Sequence, residues 1–124
     1  MRIVARFAGV VRLTFKNFFT KHITMIPDAA PQTLSEAVSR LKDILSEEDL
    51  VYIKNMGKDE DVISLHMGLG NWIRNNFGLW GGNRSLKRDC FPDMASNPYA
   101  INTIDPDDCS HEILKALWRD LQNG

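Results

Sequence analysis

Residues 65–83 read LHMGLGNWIRNNFGLWGGN, and this stretch decides how the chain folds. On a helical wheel, apolar side chains between residues 62 and 77 fill one wide arc, and polar or small side chains lie opposite. The spacing predicts a long helix from Glu60 to Phe77 at the centre of the fold, ended by Gly78 in the position of a left-handed cap. The predicted core side consists of Val62, Leu65, His66, Leu69, Trp72, Ile73 and Phe77.

Two glycines, Gly68 and Gly70, lie within one turn of this predicted helix. Each costs about 1 kcal/mol relative to alanine in a helix interior. Glycine at such a place usually permits the close approach of another backbone, an aromatic ring or a ligand. We therefore expect a close contact at this turn.

The polar side chains of the same stretch form a candidate binding site. Arg74 offers a fork of donors beside the amides of Asn71 and Asn75, and such a set can hold a carboxylate, a phosphate or a nucleobase. A structural role is the alternative, in which Arg74 pairs with an acid among residues 105–108 and the asparagines hold neighbouring loops. A lone histidine on an apolar arc is more often a hydrogen-bonded core residue than a base or a ligand. The candidate binding residues are His66, Asn71, Arg74, Asn75, Trp80 and Asp108.

Further helices are predicted before this stretch. Thr33 and Glu36 have the spacing of a capping box, and apolar residues at helical intervals continue to about Leu45. Ser46 then caps a second helix, which residues 55–57 end.

Residues 79–83 form a glycine-rich loop, and a short helix is expected after it, from Ser85 to Cys90. Residues 91–104 contain two prolines and few periodic apolar residues, so they are predicted to form a long loop. Asp105 and Pro106 begin the last helix. The predicted fold is all-α, a small irregular bundle of four or five helices.

The first 26 residues differ in charge from the rest. Residues 1–25 contain five basic residues and no acid, whereas the remainder has ten basic and sixteen acidic residues. Alternation of apolar residues favours a strand pair, but a helical wheel also gives a basic amphipathic helix that can bind a membrane surface through residues 1–23. A packed arm is the third interpretation. We divide the chain into an N-terminal segment, 1–26, and a helical domain, 27–124.

Composition excludes several classes of protein. Apolar residues make up 44% and charged residues 25%, which is typical of a folded domain. The excess of acidic residues after residue 25 argues against nucleic-acid binding, since phosphate binding needs a basic face. No stretch has the roughly 20 apolar residues of a membrane span. Cys90 and Cys109 show no metal-binding spacing, so we expect two reduced, partly buried thiols and a cytoplasmic location.

The central block, together with LSEED at residues 45–49 and DPDDCS at residues 105–110, resembles a family of small bacterial and phage domains known as domain of unknown function 6794. The resemblance covers about residues 33–121. Members of that family often have histidine where this chain has Asp105, so a histidine is not required there. The resemblance implies a small helical domain and brings no activity with it.

The expected function is a binding or regulatory module with a protein partner. No catalytic motif, P-loop or dinucleotide fingerprint is present, so we expect no cofactor and no metal, and an enzyme is the less favoured class. One alternative is a protein that binds a small ligand or a nucleotide, using the polar face around Arg74 to hold an anionic ligand. Such a protein could also be an enzyme. A peripheral membrane protein bound through residues 1–23 is the other.

Overall fold

The computed structural model describes residues 30–94 and 96–123 of the protein. The interpretations of residues 1–26, as a strand pair, an amphipathic helix or an arm, and the domain boundary beside them lie outside the described residues. The described ranges contain α-helices, shorter helical turns and loops. The predicted all-α class is therefore confirmed.

Six α-helices occur in the described ranges, where four or five were predicted. Three turns of other helical types accompany them: a 3₁₀ turn over Asp59–Leu65, a π turn over His66–Gly70 and a 3₁₀ turn over Pro92–Met94. The α-helices are α1 (Leu34–Ile44), α2 (Glu47–Lys54), α3 (Asn71–Asn76), α4 (Arg84–Cys90), α5 (Pro98–Asn102) and α6 (Pro106–Asn123).

The predicted N-caps of α1 and α2 are confirmed. The side chain of Thr33 accepts a hydrogen bond from the backbone N–H of Glu36, and Ser46 accepts one in the same way from Asp49. The capping box of α1 is displaced by one residue, because Glu36 accepts from the N–H of Gln32. Each cap supplies a partner for a backbone N–H that has none within its helix.

The predicted regular helix from Glu60 to Phe77 is wrong in its geometry. The 3₁₀ turn, the π turn and α3 follow one another without a break, and we call residues 59–76 the central segment. Tight winding over the first part places Val62 and Leu65 above one another, since a 3₁₀ helix has three residues per turn. The wider π turn then brings Leu69 to the same side, and all three side chains are buried. The core face thus stays continuous although the helical winding changes twice along the segment.

The predicted loop over residues 91–104 also needs correction. It contains the short 3₁₀ turn and α5, whose N-cap Asn97 accepts hydrogen bonds from the N–H groups of Tyr99 and Ala100. Ile101 of α5 is fully buried. A helix of five residues is too short to show a periodic apolar pattern, so the sequence alone did not reveal it.

The centre of the packing is α6 and not the central segment. With 18 residues it is the longest α-helix of the described ranges, and it contacts α1, α2, α3, α4 and the two turns of the central segment. Its buried residues follow helical spacing, three and four apart. They are Cys109, Ser110, Ile113, Leu114 and Leu117.

The turn after α3 has the predicted left-handed glycine. Gly78 has φ +75°, and the N–H of Leu79 donates to the carbonyl of Arg74 at 3.2 Å, the long bond of a Schellman motif. The side-chain amide of Asn83 donates to the carbonyls of Phe77 and Pro31. The glycine-rich loop is therefore fastened at both ends, and it carries Trp80 at a fixed place.

No helix in residues 30–94 or 96–123 combines the length and the apolar character needed to cross a bilayer. Both cysteines carry free thiols, and both are buried.

Candidate functional site

Arg74 of α3 turns inward, with 6% of its side chain exposed. Its Nη1 donates to the hydroxyl of Ser110 at 3.0 Å, and its Nη2 donates to the backbone carbonyl of His66 at 3.3 Å. Its Nε lies 3.1 Å from Oδ1 of Asp107, which makes an ion pair, although the N–H does not point at that oxygen. The guanidinium is thus held by groups of the central segment and of α6.

The first turns of α6 supply two of these partners. Asp107 follows the N-cap residue Asp105, whose carboxylate accepts a hydrogen bond from the N–H of Asp107. Ser110 donates its own hydroxyl proton to the carbonyl of Asp107 at 3.0 Å, which leaves its oxygen free to accept from Arg74. An arginine near the positive end of a helix is unfavourable, and the carboxylate of Asp107 offsets this effect.

The ring of His66 lies beside both the cation and the anion. Its Nδ1 is 3.5 Å from Nη1 of Arg74, and its Nε2 is 3.9 Å from Oδ2 of Asp107. A neutral ring that accepts at Nδ1 carries its proton on Nε2, facing the carboxylate. We refer to His66, Arg74, Asp107 and Ser110 as the Arg74 cluster.

Gly70 lies directly beneath this cluster. A Cβ atom at that position would come within 3.1 Å of Nη1 of Arg74 and 3.4 Å of the carbonyl oxygen of Leu65. The close approach expected from the two glycines is therefore made, at Gly70, by a side chain of the protein itself. Gly70 is buried, as the cluster requires.

The other predicted site residues are not among the contacts of Arg74. Asn71, Asn75 and Asp108 are exposed. The carboxamide oxygen of Asn75 accepts a hydrogen bond from the indole N–H of Trp80 at 2.9 Å, and 62% of Trp80 is exposed. The structure therefore brings together His66 and Arg74 in one place and Asn75 and Trp80 in another.

The Arg74 cluster is nearly complete in its chemistry. The cation already has a hydroxyl, a carboxylate, a backbone carbonyl and an imidazole nitrogen around it. Ser110 is buried and holds both of its hydrogen bonds, which is unlike an activated nucleophile. In the two described ranges, no three side chains of His, Cys, Asp or Glu come together to hold a metal ion. The arrangement best suits a joint between the central segment and α6.

Sequence reasoning considered an acid among residues 105–108 as the partner of Arg74, but it missed Ser110. The acid that pairs with Arg74 is Asp107, within the range considered, whereas Asp108 was the acid chosen for the site. The helical spacing of Asp107, Ser110 and Leu114 was the available signal, because residues three and four apart share a face and Leu114 is apolar. Asn83, which fastens the glycine-rich loop, had the signal of an N-cap alone.

A family model described as Domain of unknown function (DUF6794) matches residues 30–121. No curated protein matches the chain, and no solved structure does.

Proposed function

The chain belongs to the family described as Domain of unknown function (DUF6794), and we propose that it is a binding module that contacts a protein partner through the outer side of the central segment. This outer side carries exposed apolar and amide side chains in a row along one helical stretch and the loop after it. We call it the exposed face: Ile63, Met67, Asn71, Asn75 and Trp80.

The observation that carries the proposal is the state of Trp80. Its ring is largely exposed, but its N–H is bound to Asn75, and the loop that carries it is fastened through Gly78 and Asn83. An aromatic ring held in place loses little conformational freedom on binding, and tryptophan is among the residues that contribute most to protein interfaces.

Met67 extends the same face toward the start of the segment. It is 81% exposed, and Ile63 is 58% exposed one turn earlier. Methionine adapts its shape to different apolar partners. Together with Trp80, these side chains offer apolar anchors separated by the amides of Asn71 and Asn75, a pattern that fits a protein surface better than a small molecule.

The Arg74 cluster supports a protein partner over a small anion, because the guanidinium of Arg74 is already occupied by groups of the protein. An external phosphate or carboxylate at Arg74 would have to displace Asp107 or Ser110 from a guanidinium that is already buried. A nucleotide or other small anion therefore remains the second proposal. Binding to a membrane surface through residues 1–23 and a cytoplasmic location also remain proposals.

To test the proposal, a photo-reactive amino acid replaces Met67 in the full chain, and cross-linking is carried out in the cells that produce the protein. Asp43 of α1 is the matched control position, since it is also exposed but lies on another helix. We expect a discrete cross-linked product of higher mass from position 67 and none from position 43. Trp80→Ala in the same chain should abolish that product, because it removes an anchor without touching the photo-reactive group.

Two outcomes would contradict this assignment of the face. One is labelling that is the same from positions 67 and 43, and the other is a product from position 67 that persists undiminished with Trp80→Ala. Once the partner is identified, Trp80→Ala should weaken its affinity about 30-fold or more, the effect of losing about 2 kcal/mol at an interface anchor.

A further inference from the structure

The two cysteines of the chain meet in the core, although neither motif nor spacing places them together. Cys90 is the last residue of α4, and Cys109 lies in the first turns of α6. Their sulfur atoms are 3.1 Å apart, with the thiol of Cys109 donating to the sulfur of Cys90. Both are free, and the sequence contains no third cysteine.

This contact is closer than ordinary packing requires. A disulfide bond has its sulfur atoms about 2.0 Å apart, so the two thiols need to approach by about 1 Å for the bond to form. Helices α4 and α6 already contact one another, which fixes the backbone on both sides. Two thiols held in this way differ from a single buried cysteine, because each has a reaction partner within reach.

We propose that Cys90 and Cys109 form a reversible redox-modification site, in which a low-molecular-weight disulfide such as oxidised glutathione converts the thiol pair into an intramolecular disulfide. The site is independent of the exposed face. Apolar side chains would fill these two positions of the core equally well. The proposal therefore gives a chemical role to thiols that packing alone does not require.

The reaction balances as two successive thiol–disulfide exchanges. Cys90 is the less completely buried thiol, so its thiolate attacks one sulfur of the small disulfide and releases the first small thiolate, which takes up the proton that Cys90 lost. Cys109 then loses its proton, attacks the Cys90 sulfur and displaces the second small thiolate. The two protein thiols are oxidised by two electrons in total, and the small disulfide is reduced to two small thiols.

The environment controls the rate of the first exchange. Contact with the neighbouring Cys109 thiol and burial both raise the pKa of the Cys90 thiol well above its usual value. Because the thiolate is the attacking species, oxidation is slow at neutral pH and accelerates as pH rises. The site therefore responds to a sustained oxidising condition and not to a brief one.

The bond would act on the part of the chain between the two cysteines. Residues 91–108 become a closed loop that contains α5, the exposed side chains Met94 and Tyr99, and Asp107 of the Arg74 cluster. Closing this loop restricts the unfolded chain and so stabilises the fold. Oxidation thus links the first turn of α6 covalently to the end of α4. The Arg74 cluster depends on that first turn.

The test uses the full chain in mixtures of oxidised and reduced glutathione, quenched by acid and alkylated. We expect a product lighter by two hydrogen atoms. A protease that cuts before aspartate separates Cys90 from Cys109, since Asp93, Asp105 and Asp108 lie between them. The two fragments should stay linked until a reductant is added. The melting temperature of the oxidised chain should rise by about 5–10 °C.

The control is Cys90→Ala, which leaves one thiol and should yield no internally linked product. The measurements on the unaltered chain decide the outcome even where a variant folds poorly. Accumulation of a stable mixed disulfide with glutathione, or of disulfide-linked dimers, overturns the proposal. So does a folded chain that stays reduced at alkaline pH while the unfolded chain is oxidised.

Discussion

Trp72 and Trp80 lie on either side of Gly78, yet 7% of the first and 62% of the second is exposed. The same division separates Arg74 from Asn75, which are neighbours in sequence. Arg74 points inward and is surrounded by oxygen and nitrogen acceptors, whereas Asn75 points outward and holds the exposed indole. One helical segment thus has a side completed by its own protein and a side that is left open.

The difference arises from what each kind of polar group requires. A buried cation must find its acceptors within the fold, because an unpaired charge in the interior is very costly. An exposed amide or indole has water as a partner and is under no such demand. Substitutions on the inner side of the central segment are therefore expected to lower stability. Substitutions on the outer side are expected to change binding to a partner.

Trp72→Ala should have the largest effect on stability. The ring packs edge-on against Phe77, with centroids 5.5 Å apart, and loss of a buried tryptophan ring costs about 3–5 kcal/mol. A domain of this size has about 5–15 kcal/mol in total. Urea unfolding measures the change, with Trp72→Phe as the milder control. A loss below about 1 kcal/mol would place Trp72 among contact residues instead of core residues.

Arg74→Ala is expected to come next, at about 2–3 kcal/mol. The change leaves Ser110 and the carbonyl of His66 without their donor, whereas Asp107 is 47% exposed and can be hydrated. Arg74→Lys keeps the charge but not the fork, so it should recover only part of the loss. Thermal melts with and without a panel of nucleotides and phosphates check this. Unchanged stability in Arg74→Ala, with loss of a ligand-induced shift seen in the unaltered chain, would favour the small-anion proposal.

The effect of Gly70→Ala on stability should depend on whether Arg74 is present. With Arg74 present, the new methyl group meets the guanidinium, which offsets the gain in helix propensity of about 1 kcal/mol. In the Arg74→Ala background that obstacle is absent, so Gly70→Ala should stabilise the protein. A double-mutant cycle should give a coupling of about 1 kcal/mol. Additive effects would mean that Gly70 serves the winding of the segment and not the cluster.

Trp80→Ala should leave stability within about 0.5 kcal/mol, as is usual for an exposed side chain. The same change is expected to remove the cross-linked product described above. Urea unfolding of Trp80→Ala beside Trp72→Ala gives the direct contrast between the two sides. Comparable losses in the two variants would show that Trp80 belongs to the packing of the fold.

The smallest effect concerns the outer ion pair between Asp59 and Arg119. The hydrogen bond from Arg119 to the carboxylate, and then their Coulombic attraction, hold the pKa of Asp59 below its usual value. A lowered folded-state pKa contributes stability that is present above the unfolded-state pKa and is lost as pH falls through the folded-state value. Urea midpoints measured from pH 5 down to about pH 3 should therefore fall slightly less steeply for Asp59→Asn than for the unaltered chain. An equal slope in both would show that the pair contributes nothing measurable.

Several features of the fold could be predicted because they depend on residues close in sequence. The caps at Thr33 and Ser46 and the left-handed turn at Gly78 are local hydrogen-bonding and backbone requirements. Burial along residues 62–77 followed from helical spacing, which survives changes of winding. The short helix α5 was missed, since five residues carry too little periodicity.

Neighbouring residues along one chain segment set the all-α class, the main helix ends and the apolar stripe of the central segment, so these follow from sequence. The choice of Asp107 as the partner of Arg74, the requirement for glycine at position 70 and the contact between Cys90 and Cys109 follow from tertiary packing alone. These contacts join residues far apart in sequence, and they depend on how α6 is rotated and placed against the other helices. That placement results from the packing of all helices at once, so no single stretch of the sequence contains it.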